Sequence, residues 1–241
     1  MAPLPELASN RYGPRPRCCS AYMTNGDYNV VGVDWGVLCP SPLYLTARIN
    51  VPFAGKRTGE LLSFLVEQGL SSARGLHVIG HSLGAHVAGL SAKKLNETQG
   101  VRPHRVTGLD PAWPLFMLTP ESDRLYKEDG DVVDVIHTCA GLLGFTVPLG
   151  TTDFYPNGGS GQPGCGLDLA GVCSHSRSYE YFTTSITEGK GYQADFCDNI
   201  TDARDGTCTG ENEGCMGDEV HFKEQGSYYL KTDDVAPTKE C

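Results

Sequence analysis

The chain alternates short apolar runs with amphipathic stretches. Residues 29–35 read Asn-Val-Val-Gly-Val-Asp-Trp, a run that predicts a buried strand. Residues 54–69 predict a helix with Leu61, Leu62, Leu65 and Val66 on its apolar face. Residues 76–79 predict a strand, and residues 83–95, rich in Ala and Leu with Lys93 and Lys94 near the end, a second helix. Residues 106–109 and 132–136 predict further strands, and Tyr228, Tyr229 and Leu230 a late one. The strands are almost wholly apolar instead of alternating, and they alternate with helices. That pattern belongs to a mostly parallel sheet covered on both faces, an α/β fold. Residues 1–27 are rich in Pro, Arg and Gly and show no apolar period, so an irregular segment is expected there, followed by one domain over 28–241.

The 241 residues carry 29 acidic against 19 basic side chains, a formal charge of −10. This balance argues against nucleic acid as a partner, because phosphate binding needs Lys and Arg to displace counterions. It also argues against long-range attraction to anionic membranes. No run of about 18 apolar residues exists to span a bilayer. Ten cysteines, an even number without zinc-finger spacing, point to disulfides and an extracellular, secreted setting. The sequons at Asn96 and Asn199 agree with glycosylation in that setting. The start, Met-Ala-Pro-Leu-Pro-Glu-Leu, has no signal-peptide core, so a chain that begins downstream of its true start, or one whose leader has been removed, is expected.

Gly80-His81-Ser82-Leu83-Gly84 matches the G-x-S-x-G turn between a strand and a helix. There Gly80 and Gly84 are expected to avoid a clash in a strained backbone, Ser82 to be the nucleophile, and the Leu83 N–H to face an oxyanion. The alternative is a helix-capping serine. A serine nucleophile needs a base held by an acid, in the chain order Ser, acid, His. Asp110 ends the next strand before Pro111 and suits the acid; a turn-initiating Asp before Pro is the alternative. His137, His175 and His221 follow it and are all candidates for the base. His175 is slightly favoured, since a disulfide at Cys173 would fix its loop, whereas His137 ends an apolar strand and also suits a merely buried, hydrogen-bonded ring.

Together these stretches resemble the pancreatic lipase family of α/β-hydrolases. The matching segments are Val-Gly-Val-Asp-Trp (31–35), His-Val-Ile-Gly-His-Ser-Leu-Gly-Ala-His (77–86), Thr-Gly-Leu-Asp-Pro-Ala (107–112), Val-Asp-Val-Ile-His-Thr (133–138), Asp-Phe-Tyr-Pro-Asn-Gly-Gly (153–159), Pro-Gly-Cys (163–165) and Cys-Ser-His-Ser-Arg-Ser-Tyr (173–179). They keep the family's order over about residues 28–235. The resemblance implies a triad of Ser82, Asp110 and His175 in a secreted esterase acting on lipid acyl chains, with transient contact to a lipid interface. It also implies a lid disulfide between Cys165 and Cys173.

The chain departs from that pattern in three respects. The family's early His-Gly-aromatic loop, which gives the second oxyanion donor, has no counterpart, and one such donor is typically worth about 10²–10³ in rate. The expectation is therefore an N-terminally incomplete copy. The loop enclosed by Cys165 and Cys173 has too few residues, two of them Gly, for a useful lid helix. Short-lid members of the family resemble phospholipases A1, and an open rim suits a polar headgroup. No carboxyl-terminal β-sandwich follows, so no colipase partner is implied. The family's calcium site maps onto Glu121, Arg124 and Asp129, with Tyr126 where a second carboxylate would stand, so no metal or other cofactor is assigned. Cys197 and Cys208 are candidates to close a carboxyl-terminal loop. The rival readings are a non-catalytic lipid-binding or yolk-like storage homologue, and an inactive truncated lipase.

Overall fold

The computed structural model describes residues 17–39, 43–210, 213–223 and 225–241. The first sixteen residues of the segment expected to be irregular lie outside the described residues. The rest of that segment is not all irregular: Arg17–Asn25 forms helix α1. Its Ala21 and Tyr22 are buried against Phe182 and Ile186, and that tertiary burial outweighs a weak local pattern.

Residues 29–35 form no strand, contrary to the apolar run, and Val31 and Val33 are exposed. A strand needs a ladder partner, and among the described residues this run pairs with none. Asp34 instead accepts a bond from the Gly36 N–H at 2.9 Å. Helix α2 spans Tyr44–Glu67, beginning ten residues before the expected start and passing through Pro52. An interior proline costs about 3 kcal/mol. Burial of Ala47 and Val51 on the same turns offsets it.

Strand β1 (His77–His81) leads into helix α3 (Leu83–Gln99), which runs a turn past the lysines and stops at Gly100 with φ 67°. Strands β2 (Arg105–Leu109), β3 (Val132–Ile136) and β4 (Thr152–Pro156) follow. Then come helix α4 (Val172–Glu188), strand β5 (Tyr192–Cys197), helix α5 (Ile200–Asp205), strands β6 (Gly214–Met216), β7 (His221–Phe222) and β8 (Gly226–Leu230), and the β9 (Thr232–Asp233), β10 (Ala236–Pro237) hairpin.

Among the described residues the sheet has eight strands in the order β1-β2-β3-β4-β8-β5-β6-β7. The first five are parallel neighbours, and β5, β6 and β7 are antiparallel. Side chains alternate across β3, so Val133 and Val135 meet α2 and α3, while Ile136 meets α4 and α1 on the other face. Each such fully buried aliphatic contributes roughly 1.5–3 kcal/mol. The fold is a mostly parallel α/β sheet with helices on both faces, as the pattern predicted. Three disulfides join Cys165 to Cys173, Cys197 to Cys208 and Cys215 to Cys241. Among the described residues no helix is long and apolar enough to cross a membrane.

His81 lies beside Leu109, and Leu109 beside Ile136. Ser82, Asp110 and His137 are therefore the residues that leave three neighbouring strands in one row at the carboxyl edge of the sheet.

Candidate active site

Ser82 turns the chain from β1 into α3 with φ 57° and ψ −123°. That conformation is rare for a residue with a side chain and costs of order 1–3 kcal/mol, a strain that clusters at functional sites. A Cβ on Gly80 would lie 2.0 Å from the Gly84 carbonyl oxygen, so only glycine lets the turn close. The expected clash at Gly84 does not exist: a Cβ there meets nothing within 4 Å. Ser82 stands at the N-cap position of α3 yet makes no side-chain cap bond, which removes the capping-serine alternative. Its hydroxyl has no hydrogen-bond partner among the described residues, His175 included. Nucleophile–base bonds are often long in free enzymes and tighten around substrate. The Leu83 N–H is the first of α3, where the intrahelical ladder supplies no acceptor and the helix dipole favours negative charge.

Asp110 follows β2 with φ 42° and is wholly buried. One carboxylate oxygen accepts from the Thr138 and Cys139 N–H groups at 2.9 and 3.1 Å. The other accepts from Nδ1 of His175 at 2.6 Å. An ionised carboxylate in a buried place requires such donors. Gly144 leaves room for it, since a Cβ there would fall 2.2 Å from the Asp110 oxygen.

His175 sits on the first turn of α4, its side chain 13% exposed. With Nδ1 given to Asp110, Nε2 is left for proton transfer. The turn is fixed from several sides. The Cys165–Cys173 disulfide closes the loop before it. The Ser174 N–H donates to the Asp168 carboxylate at 2.7 Å, which holds that carboxyl below its ordinary value and caps α4. His81 Nε2 donates to the His175 carbonyl at 3.1 Å. Burial first, and then the neighbouring His175, push His81 down to about 4. None of His81, Asp168 or the two N–H donors to Asp110 was singled out from sequence. Only the place of His81 between Gly80 and Ser82 hinted at such a role.

The other histidines lie elsewhere. His137 is buried and bonded to Asp153 at 2.8 Å, not to Asp110. His221 is exposed on β7. His86 holds the Ala112 carbonyl at 2.8 Å and is pushed down to about 3, chiefly by burial.

Three leucines in the loops after β2 and before α4 are strongly exposed: Leu118 at 90%, Leu167 at 87% and Leu169 at 81%. Each of these loops bonds to the 139–143 segment, through the Trp113 N–H on the Leu143 carbonyl at 2.8 Å and the Cys139 thiol on the Gly171 carbonyl at 3.3 Å. The lid loop, residues 166–172, holds no helix of its own; α4 begins only at its last residue, Val172. The residues aligned with the family's calcium site do not fit a calcium ion. Lys93 pairs with the Asp129 carboxylate, and the Tyr126 phenol offers no carboxylate. Cys165, Asp168 and Cys173 lie close together, but the disulfide and the helix cap already use them. Asn96 and Asn199 are both exposed, the latter exchanging bonds with Asp202 at the start of α5.

The chain is similar to known proteins over most of its length. Residues 14–238 match the family model described as Lipase. A pancreatic triacylglycerol lipase of Cavia porcellus is 34% identical over 247 residues, covering 90% of this chain and 52% of the relative. Lipase member H of Xenopus tropicalis is 38% identical over 191 residues, covering 76% and 40%. Phospholipase A1 1 of Vespa affinis is 38% identical over 175 residues, covering 69% and 52%. The chain spans about half the length of these curated relatives.

Proposed function

The chain belongs to the lipase family, a family of serine hydrolases, and on that premise we propose that it is a secreted hydrolase of lipid acyl esters working through Ser82, His175 and Asp110. One observation carries the reading. Ser82 holds a strained turn without spending its hydroxyl on the helix, while the residue before it grips the turn whose imidazole is bonded to a buried carboxylate.

The chemistry is acyl transfer in two steps. Nε2 of His175 takes the Ser82 proton as Oγ bonds to the ester carbonyl carbon. The oxyanion that forms is met by the Leu83 N–H at the head of α3. Asp110 fixes the imidazole in the tautomer that leaves Nε2 free and stabilises the imidazolium. His175 returns the proton to the departing alcohol, leaving an acyl-serine. Water then gives a proton to His175 and its oxygen to the acyl carbon, and His175 passes that proton to Oγ as the acyl–serine bond breaks, releasing the fatty acid and restoring Ser82.

The substrate class proposed is phospholipid, attacked as a phospholipase A1 would. The short lid, with no helix of its own, suits an open rim for a headgroup, and the exposed Leu118, Leu167 and Leu169 suit transient contact with the lipid surface. The disulfides support an extracellular setting. The test is hydrolysis of phosphatidylcholine and of triolein by the full chain, with Ser82→Ala as control. Faster release of fatty acid from phosphatidylcholine, abolished in the control, supports the reading. Faster release from triolein makes it a triacylglycerol lipase, and no release above the control from either removes the enzyme.

A further inference from the structure

His137 is the third residue of the row that begins with Ser82 and Asp110, and the mechanism above does not use it. It is completely buried. Nε2 faces the Asp153 carboxylate at 2.8 Å and Nδ1 faces the Phe145 carbonyl at 3.0 Å. The Phe145 carbonyl can only accept, so Nδ1 donates to it, while Nε2 meets the Asp153 carboxylate. It is stacked on Tyr155, centroids 4.5 Å apart and planes 4° apart. Asp153 is itself held by the Leu149 and Gly150 N–H groups at 2.9 and 3.0 Å. The ring is therefore fixed from behind and clasps one specific atom in front.

That atom closes a loop. The bond to Phe145 ties the start of the 137–145 segment to its end. Between those ends the segment wraps Asp110: Thr138 and Cys139 donate to its carboxylate, and Gly144 lies against it. The Phe145 N–H also donates to the Pro111 carbonyl at 3.0 Å. Inside the loop the Cys139 carbonyl accepts from the Leu143 and Gly144 N–H groups at 3.2 and 2.9 Å, and the His137–Phe145 bond clasps the segment outside that inner turn.

We propose that His137, braced by Asp153, is a positioning residue for Asp110. It clasps the loop whose main-chain N–H groups hold that carboxylate toward His175. This rests on the hydrolase reading and deepens it.

Two substitutions divide the ring. An asparagine amide reaches where Nδ1 was, and a glutamine amide where Nε2 was. His137→Asn thus keeps the donor to Phe145, and His137→Gln keeps only the donor to Asp153. Both lose the stack on Tyr155, so a general loss of packing affects them alike. The measurements, on the full chain, are the rate of fluorophosphonate labelling of Ser82, kcat and KM on a soluble ester, and the acid limb of kcat/KM. His137→Gln is expected to lower kcat about 10–100-fold with KM little changed, since small misplacements at a reacting centre cost about that much. Its acid limb moves to lower pH, because a loosened Asp110 stabilises the His175 imidazolium less. His137→Asn is expected to stay within about threefold of wild type with the limb unmoved.

Equal losses in the two variants with an unmoved limb, or full activity in both, overturn the assignment. If neither variant folds, Asp153→Asn, which leaves the ring and its Phe145 bond, gives the answer. A shift of the limb toward lower pH that is smaller than that of Asp110→Asn supports the braced clasp, and an unmoved limb with unchanged kcat overturns it. A wild-type chain that fails to label at Ser82 ends the hydrolase reading, whereas a wild type that labels while the variants behave alike ends only the role of His137.

Discussion

The imidazole of His81 donates to the main-chain carbonyl of His175 at 3.1 Å, so the residue before the nucleophile holds the helical turn that carries the base. The two rings lie 4.4 Å apart, and Tyr179 meets His81 edge-on at 5.1 Å. A single side chain thus links the β1–α3 turn to the start of α4.

This link predicts two outcomes at one position. His81→Ala removes the donor and leaves the His175 carbonyl with one fewer partner. It should lower kcat about tenfold and cost about 1–3 kcal/mol of stability. His81→Gln, whose amide reaches the place of Nε2, should recover most of both. Steady-state kinetics and thermal unfolding of the two variants check this.

The same ring predicts how stability depends on pH. His81 is pushed down to about 4 in the folded chain, below the ordinary value of 6.5. The unfolded state therefore binds the proton first as pH falls. Stability from this group is complete above about pH 6.5 and is lost as pH falls toward 4, by on the order of 3 kcal/mol. His86, pushed down to about 3, adds a loss of the same sign that continues lower. Urea unfolding between pH 7 and pH 4 should show this decline, with a shallower slope for His81→Gln. An equal slope in the two proteins contradicts it.

Three glycines should behave differently on conversion to alanine. At Gly80 the new methyl strikes the Gly84 backbone at 2.0 Å, and at Gly144 it strikes the Asp110 carboxylate at 2.2 Å. Gly80→Ala should unfold or strongly destabilise the chain. Gly144→Ala should fold but lose about 10² in kcat through a displaced carboxylate. Gly84→Ala meets nothing within 4 Å and should leave thermal stability unchanged. Unfolding temperatures and kcat for the three variants test the ordering.

The Cys165–Cys173 disulfide closes a loop across a sequence separation of 8. Replacing both cysteines with serine frees that loop in the unfolded chain and should cost about 2–3 kcal/mol, or about 5–10 °C in Tm. Because the loop leads directly into the turn of His175, activity should fall before the fold does on warming. Parallel melts followed by ester hydrolysis and by circular dichroism check this.

Several of these residues were legible in the sequence because their signals are local. An apolar strand, a Gly-x-Ser-x-Gly turn and an Ala-rich helix are contiguous, and so are a strand end and Asp110-Pro111. His175 was not separable from His137 and His221 by chain order, since what distinguishes them is which carboxylate each ring meets across the fold. Helix α4 was missed because Ser176, Thr183, Thr184 and Thr187 give it weak propensity. Burial of Tyr181, Phe182 and Ile186 holds it. The strand expected at residues 29–35 failed for the opposite reason: its composition was favourable, but among the described residues it has no ladder partner. The roles of His81 and Asp168 depend on which main-chain atoms lie opposite them, and no pattern along the chain encodes that.

The most direct test of the account is labelling of the full chain with a fluorophosphonate, followed by mass spectrometry of the modified peptide, in wild type, His175→Ala and Asp110→Asn. One adduct is expected, on Ser82, forming about 10³–10⁴ times more slowly in each variant. An unlabelled Ser82 in the folded wild-type chain, or labelling that proceeds as fast without His175, would contradict it.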